Sequence, residues 1–537
     1  MDRSLPSPAF EVHPYHLDTL VKLAAMLSRV NAEATISQKS HPGYLDGYFR
    51  TLGVKTIVVE RSYVDRDYLE DFAAYYVNCF KFYERHCARL HFFSGDFDEA
   101  AFRALLEGHP TTLSMGTLQN TYCGFTVIKP LPQTIFGRMC LKTYPQDEGR
   151  EFSVARSFHA NLFGISLEVP ATLPFQEQDN VVAACATSAL WSVLQGTAKE
   201  FQHALLTPIA ITRAATEFLP AETRMIPNRG GLATAMMAEA IRAVGLEPLA
   251  LAAPLNDDAT LRGALYAYLR ARIPIVLGLR LCNTAAPPDD NIIGDHAIAV
   301  TGFRLADQPA APVTRSGFRH RAVRIEKIYA HDDQVGPFAR MAFDGKTVEV
   351  ELDDGRGAVT ASSLSTSWRA ADGSTDKIRA VPIILLIPLY HKIRIPFEDI
   401  IQVVSDFHKF LATAAPLGAI VGADDLEWDV HLTTVNDLKT DLQQCTQLSG
   451  EPRVHWLTAP MPRFLWRALA RKGETRVIDL LFDATDIHTS NGVHAVVCYD
   501  TVLHELLFLI AANPKIEDLP ELPEGARRIL RWLREAQ

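Results

Sequence analysis

The sequence predicts a chain of several mixed domains, α/β and α+β in character, and three observations predict it. Its 537 residues correspond to about three domains at the usual domain size. Short apolar runs of strand length and amphipathic stretches of helical period alternate along the whole chain, with neither kind segregated. No internal repeat period or low-complexity tract interrupts that alternation. Three regions follow, at 1–168, 169–392 and 393–537.

Region 1–168 carries strand-like runs at 56–60, 90–94, 124–130 and 138–144 with helices between them, a mixed α/β arrangement. Its clearest helix starts near Asp65. Tyr68, Leu69, Phe72, Tyr75, Tyr76, Cys79, Phe80 and Tyr83 share one helical face. An aromatic stripe of that period predicts core, with a partner-binding surface as the alternative. Lys129 lies among apolar residues, where a lysine usually snorkels to water, the other reading being a buried cationic site.

In region 169–392 the informative position is Cys185. A polar stretch with Gln176, Glu177, Gln178 and Asp179 leads into a run where Ala186, Ala189, Leu190, Val193 and Leu194 recur at helical spacing, with Gly196 as a stop. Cys185 therefore falls in a first turn, where unpaired N–H groups and the positive end of the macrodipole favour a thiolate. Position alone is weak, since most cysteines are small buried apolar residues. A thiol nucleophile also needs a general base, and the base an orienting partner. Gly294, Asp295 and His296 head a short apolar strand that ends at Gly302 and Phe303, which fixes an imidazole at a sheet edge. After a polar excursion at 306–319, a second strand at 322–329 runs into His331, Asp332 and Asp333. An aspartate just past that strand can accept the imidazole N–H and hold its tautomer, and Asp332 is preferred to Asp333. Further on, 353–376 is rich in Gly, Ser, Asp and Thr and predicts a mobile loop that could act as a lid, while the apolar run 381–390 predicts a buried strand.

Region 393–537 predicts a helix from after Ile395 to about 413, a strand at 428–432, helices at 435–444 and 463–471, strands at 476–482 and 494–500, and a terminal amphipathic helix. It is a further α/β or α+β module.

The order of cysteine on a helix, histidine heading a strand and aspartate after the next strand resembles that of papain-like cysteine peptidases. The likeness is nearest to the branch containing the bacteriocin-leader peptidase domains of exporters and their free-standing relatives. It covers about 172–340. Asn228, Arg229, Gly230, Gly231 and Leu232, which open a helix, are similar to that branch, as are the helix at 261–270 and the strand at 273–279 before the histidine motif. Asp332, Asp333, Gln334, Val335 and Gly336 resemble its Asp-Pro-x-x-Gly turn, with Asp333 where proline is usual. The resemblance implies a central papain-like fold flanked by two mixed α/β domains. It also implies an oxyanion donor among the glutamines before the cysteine. Gln178, seven residues before Cys185, is the choice, Gln176 is near, and Asp179 occupies the family's usual place.

The activity implied is hydrolysis of a peptide or protein amide. His296 takes the Cys185 proton, Asp332 orients the ring, and the Cys185 N–H and Gln178 side chain hold the oxyanion. Two alternatives stand beside it: acyl transfer to an amine by the same triad, and a silent papain-fold scaffold whose flanking domains bind a protein partner.

Other features narrow the reading. Gly492, Val493 and His494 mimic the histidine motif, but no aspartate-bearing strand follows. His331, Asp332 and Asp333, or Asp289 and Asp290, lack the partners of a closed metal shell, and no phosphate loop or dinucleotide fingerprint is present, so neither metal nor cofactor is expected. A net charge of −10 without a basic stripe argues against nucleic acid. Eight scattered cysteines predict a reduced, cytoplasmic protein, and the family resemblance implies a bacterial one. The first twenty residues lack the pattern of a signal peptide, and no apolar run is long enough to span a bilayer, so no membrane association is expected.

Overall fold

The apolar runs near 56, 90, 124 and 138 form the centre of a five-stranded antiparallel sheet, β1 (Phe10–Pro14), β2 (Thr56–Tyr63), β3 (Cys87–Phe93), β4 (Tyr122–Ile128) and β5 (Phe136–Leu141), ordered as in the chain. Every residue of β3 and β4 is buried, so these strands read as continuous apolar runs. The computed structural model describes residues 10–29, 33–110, 112–179, 181, 184–217, 231–351, 357–370, 373–414, 417–486 and 492–536. They belong to two compact units, the first made of Met1–Ala252, Pro274–Gly302 and Lys327–Pro388, the second of Ala253–Ile273, Phe303–Glu326 and Leu389–Gln537. The chain is a mixed α/β multidomain protein with several antiparallel sheets.

Two helices of the first unit matter to the site, α1 (Ser40–Leu52) and α2 (Arg66–Ala74). The α2 start is capped by Asp65, whose side chain accepts from the Tyr68 N–H at 3.0 Å. The aromatic stripe predicted as core is divided: Tyr68 and Tyr76 are buried, whereas Leu69 and Phe80 are exposed. The helix ends at Ala74 and a 3-10 turn follows at Tyr76–Asn78, so helical register is lost before Phe80. Lys129 does not snorkel; it is buried, and its charge acts on the buried Asp71.

A second sheet carries the site. Its strands are β8 (Leu246–Ala252), β9 (Ile275–Asn283), β10 (Ile292–Leu305), β11 (Ile325–Asp332), β12 (Gly336–Ala342) and β15 (Ile378–Tyr390), in the order β12-β11-β10-β9-β15-β8, with the short strand Arg150–Glu151 beside β10. The hairpin β6 (Arg156–Leu162) and β7 (Ile165–Thr172) precedes helix α3 (Cys185–Phe201), and α4 (Thr234–Ala243) follows it. Leu190, Trp191, Val193 and Leu194 of α3 join a core with Val276, Ala297, Ala299 and Leu386 of the sheet. Gly196 does not stop this helix. It lies inside it, where a Cβ would come within 3.0 Å of Pro274, so glycine there permits close helix–sheet packing. Asn228, Arg229 and Gly230, part of the family likeness, lie outside the described residues.

The stretch 353–376, read as a mobile lid, contains instead a strand, β14 (Ala358–Ser362), paired antiparallel with β13 (Thr347–Glu351). Leu364 and Trp368 behind it are buried, while 352–356 and 371–372 lie outside the described residues. The connection from the His296 strand to the Asp332 strand, residues 303–326, belongs to the second unit, which accounts for its length.

In the second unit, β16 (Glu427–Thr434), β17 (Phe464–Lys472), β18 (Thr475–Asp483) and β19 (Val493–Cys498) form an antiparallel sheet, extended by a parallel pairing of Arg319–His320 with β16. Helices α5 (Asp258–Arg270), α6 (Phe397–Thr413), α7 (Val435–Gln444) and α8 (Glu524–Glu535) belong to the same unit. The helix predicted at 463–471 is strand β17. It lies between two other strands with Phe464 through Ala470 all buried, and that continuous burial overrides a spacing that also fits a helix. Among the described residues no helix is long and apolar enough to cross a membrane.

Candidate active site

Cys185 is the first residue of α3 and is half-buried. Ala184, just before it, is extended, and its N–H donates to the Thr187 hydroxyl at 3.2 Å, which fixes the helix start. The polar loop leading in is tied down by alternate residues. Phe175 pairs with Met139 on the edge of β5, and the Glu177 N–H donates to the Phe136 carbonyl at 3.1 Å. Glu177 accepts from the Ile135 and Phe136 N–H groups and pairs with Lys39. Asp179 accepts from the Tyr76 hydroxyl at 2.6 Å and from the Val181 N–H at 2.9 Å. The two acids thus fasten the loop. Of the two glutamines between them, Gln176 is buried and Gln178 half-buried.

His296 sits on β10, opposite Leu279 of β9, and Asp332 is the last residue of the neighbouring β11. The His296 Nε2–H donates to Asp332 Oδ1 at 3.0 Å, with 1% and 0% of the two side chains exposed. The same carboxylate accepts from the Gln334 N–H on Oδ1 and from the Trp368 indole N–H on Oδ2, each at 2.8 Å. With Nε2 committed to Asp332, Nδ1 is the nitrogen left for Cys185, whose side chain is near enough to the imidazole to raise its pKa. Asp333 lies slightly farther away, its Oδ1 3.7 Å from Nε2.

Charge follows this geometry. Burial alone would lower the His296 pKa, but the Asp332 charge and hydrogen bond, the Cys185 contact and Asp333 outweigh it and hold the imidazole well above its ordinary value. Burial would raise Asp332, yet His296 and the donors from Gln334 and Trp368 leave it below the ordinary carboxylate range. His331, next in the strand, is a different case. Its Nε2 donates to the Leu173 carbonyl at 2.8 Å, its Nδ1 accepts from the Phe338 N–H at 3.1 Å, and burial pushes it down to about 3. It is a neutral packing residue with no free nitrogen for a metal.

The turn holding Asp332 is clamped by the first turns of α1. His41 Nε2 donates to the Asp333 carbonyl at 2.8 Å, the Ser40 hydroxyl donates to the Gln334 carbonyl, and the Tyr44 hydroxyl donates to the Pro337 carbonyl at 2.6 Å. Gly336 has φ +145°, and a Cβ there would stand 2.4 Å from the Tyr44 ring, so the glycine is needed for backbone and packing alike. A cavity of about 330 Å³ opens over this turn, lined by Lys39, Ser40, His41, Gln334, Trp368 and Arg369.

Neither Trp368 nor His41 was indicated by sequence reasoning. Trp368 lay in a stretch read as a loop, and only its being an isolated tryptophan there could have drawn notice. His41 had no local signal. The ligand atoms of His296, Asp332 and Asp333 all lie within 4.8 Å of one another. The Nε2–H···Oδ1 bond occupies the space between imidazole and carboxylate, so the donor set is that of a hydrogen-bonded relay with a second acid beside it.

Comparison with protein-family models and with curated proteins returns no match for this chain.

Proposed function

We propose that this protein is a cysteine peptidase of papain-like fold, cleaving a peptide or protein amide through a Cys185–His296–Asp332 triad. One observation carries the reading: a single buried imidazole bonds Asp332 through Nε2 and has a helix-initial cysteine close enough to act on its charge. Packing of the cysteine helix on a sheet that bears the histidine and the aspartate supports the fold assignment.

The mechanism follows from these parts. The His296 imidazolium and Cys185 thiolate form an ion pair, and the thiolate attacks the amide carbonyl. The Cys185 N–H and the Gln178 carboxamide hold the oxyanion. His296 Nδ1 gives its proton to the leaving amine, and water deprotonated by the same nitrogen releases the acyl group. Gln178 is favoured over Gln176 because it is the less buried of the two.

The test uses wild type and Cys185→Ala on a mixed peptide library read by mass spectrometry, with and without added hydroxylamine. Hydrolysis to a free carboxylate that is lost in the variant supports the peptidase, and a Cys185-dependent hydroxamate, formed with release of the substrate's amine and with no carboxylate product when hydroxylamine is left out, would move the assignment to acyl transfer. No Cys185-dependent product of either kind would overturn the enzyme reading.

A further inference from the structure

Asp333 stands out among the groups around His296 because its buried carboxylate has no hydrogen-bond partner from another residue. Both oxygens are so placed, while Oδ1 faces the imidazole edge at 3.7 Å. A buried carboxylate left this way is costly unless a nearby charge or a proton balances it. The backbone places it there: the His41 donation to its carbonyl and the Ser40 donation to the next carbonyl fix the turn with the side chain inward.

The charges facing it come from several elements. His296 faces it from β10 and Asp332 from β11. Glu177 acts from the loop before α3. Lys39 and His41 come from the start of α1, with Lys39 paired to Glu177 and His41 kept neutral chiefly by burial. The Lys39 charge is thus already answered, and the imidazole is the cation left to Asp333.

We propose that Asp333 is a second positioning carboxylate for the triad: it stabilises the imidazolium of His296 alongside Asp332 and so extends the thiolate–imidazolium pair toward alkaline pH. This rests on the triad reading above. Asp332 sets the ring's orientation through a hydrogen bond, and Asp333 adds charge without one. Burial, partly offset by His296 and reinforced by Asp332, pushes Asp333 itself up to about 7. Its support is therefore present above neutrality, where His296 is at risk of losing its proton, and fades as the pH falls. The sign follows from proximity: Asp333 Oδ1 lies 3.7 Å from Nε2, and Cys185 is not among the groups that act most strongly on Asp333, so its charge attracts the imidazolium more than it repels the sulfur.

The experiment follows the rate of Cys185 carbamidomethylation by iodoacetamide against pH, read at the Cys185 peptide by mass spectrometry in the full-length protein. An ion pair gives two inflections, the upper one marking loss of the His296 proton. Asp333→Asn and Asp333→Ala are both expected to move the upper inflection down by about one unit or more. Agreement of the two variants separates charge from packing, and the melting profile of each checks that it folds. If wild type shows the upper inflection and neither folded variant moves it, this inference fails while the triad stands. If wild-type Cys185 shows one inflection, both fail.

Discussion

Each unit of this protein contains a buried histidine–aspartate pair, and the two differ in what surrounds them. In the second unit His431 Nδ1 donates to Asp429 Oδ1 at 2.9 Å, and the Tyr266 hydroxyl donates to the same oxygen at 2.9 Å. The two residues stand two apart on β16, on one face of the strand. Burial would raise Asp429, but His431, Arg270 and Arg321 hold it well below the ordinary range. Three basic groups thus answer one carboxylate. At His296 the balance is reversed, with two carboxylates facing one imidazole and a thiol meeting the ring. A buried His–Asp pair is therefore not a catalytic signal by itself. The signal is a ring with a nucleophile close by, in surroundings that favour its protonated form.

The sharpest way to break this comparison is to remove each histidine. His296→Ala is expected to lower Cys185-dependent turnover by about a thousandfold or more, the loss usual for one member of a triad. His431→Ala should leave turnover per folded molecule within about twofold and lower the unfolding midpoint. Equal losses of turnover in the two variants would make the pairs equivalent and remove the argument for a site at 296. A smaller effect concerns compensation itself. Arg467 binds Asp479 through Nε at 2.8 Å and through Nη2 at 2.7 Å, and reaches Asp441 through Nη1 at 2.8 Å, all on buried or half-buried groups. Arg467→Met leaves Asp479 buried without its cationic partner, with only the Tyr499 hydroxyl donating to it at 3.5 Å, at a cost of about 3–5 kcal/mol in urea unfolding. A loss below about 1 kcal/mol would show that these charges do not hold the second unit together.

The pattern of the site was legible where the chain marks it locally. Cys185 opens a helical period, His296 follows a glycine at the head of an apolar run, and Asp332 closes the next one. The partners that set its electrostatics come from far along the chain. Trp368 lies 36 residues beyond Asp332, and His41 is 292 residues before the carbonyl it holds. No periodicity encodes such contacts. The fold was legible to the same limit: strand β17, buried from Phe464 to Ala470, has no alternation, so Leu465 and Leu469, or Trp466 and Ala470, fit a helical period equally well. The stripe from Tyr68 to Tyr83 was legible as core in part: Tyr68 and Tyr76 are buried and Phe72, Tyr75 and Tyr83 pack against the same core, while Phe80 is exposed because the period was read past the end of α2 at Ala74.

Trp368 supplies the finest test of the difference between the two pairs. Its indole N–H is the donor to Asp332 Oδ2, while the bonds from His296 and Gln334 both fall on Oδ1. Trp368→Phe keeps an aromatic ring and removes that donor, leaving Oδ2 buried without its partner, at a cost of about 1–3 kcal/mol. Asp332 lies below the ordinary carboxylate range because His296, then Gln334 and Trp368, outweigh the upward push of burial. A carboxylate held low contributes its stabilisation above the ordinary carboxylate pKa and loses it as pH falls through its folded value. Losing one donor moves that folded value up, so the acid limb of turnover and of thermal stability should both shift to higher pH in Trp368→Phe. At neutral pH, where Asp332 stays ionised, kcat/KM should fall by about tenfold. A uniform loss of activity with an unmoved acid limb would mean that Trp368 only fills space. Asp332 would then depend on His296 and Gln334 for its ionisation.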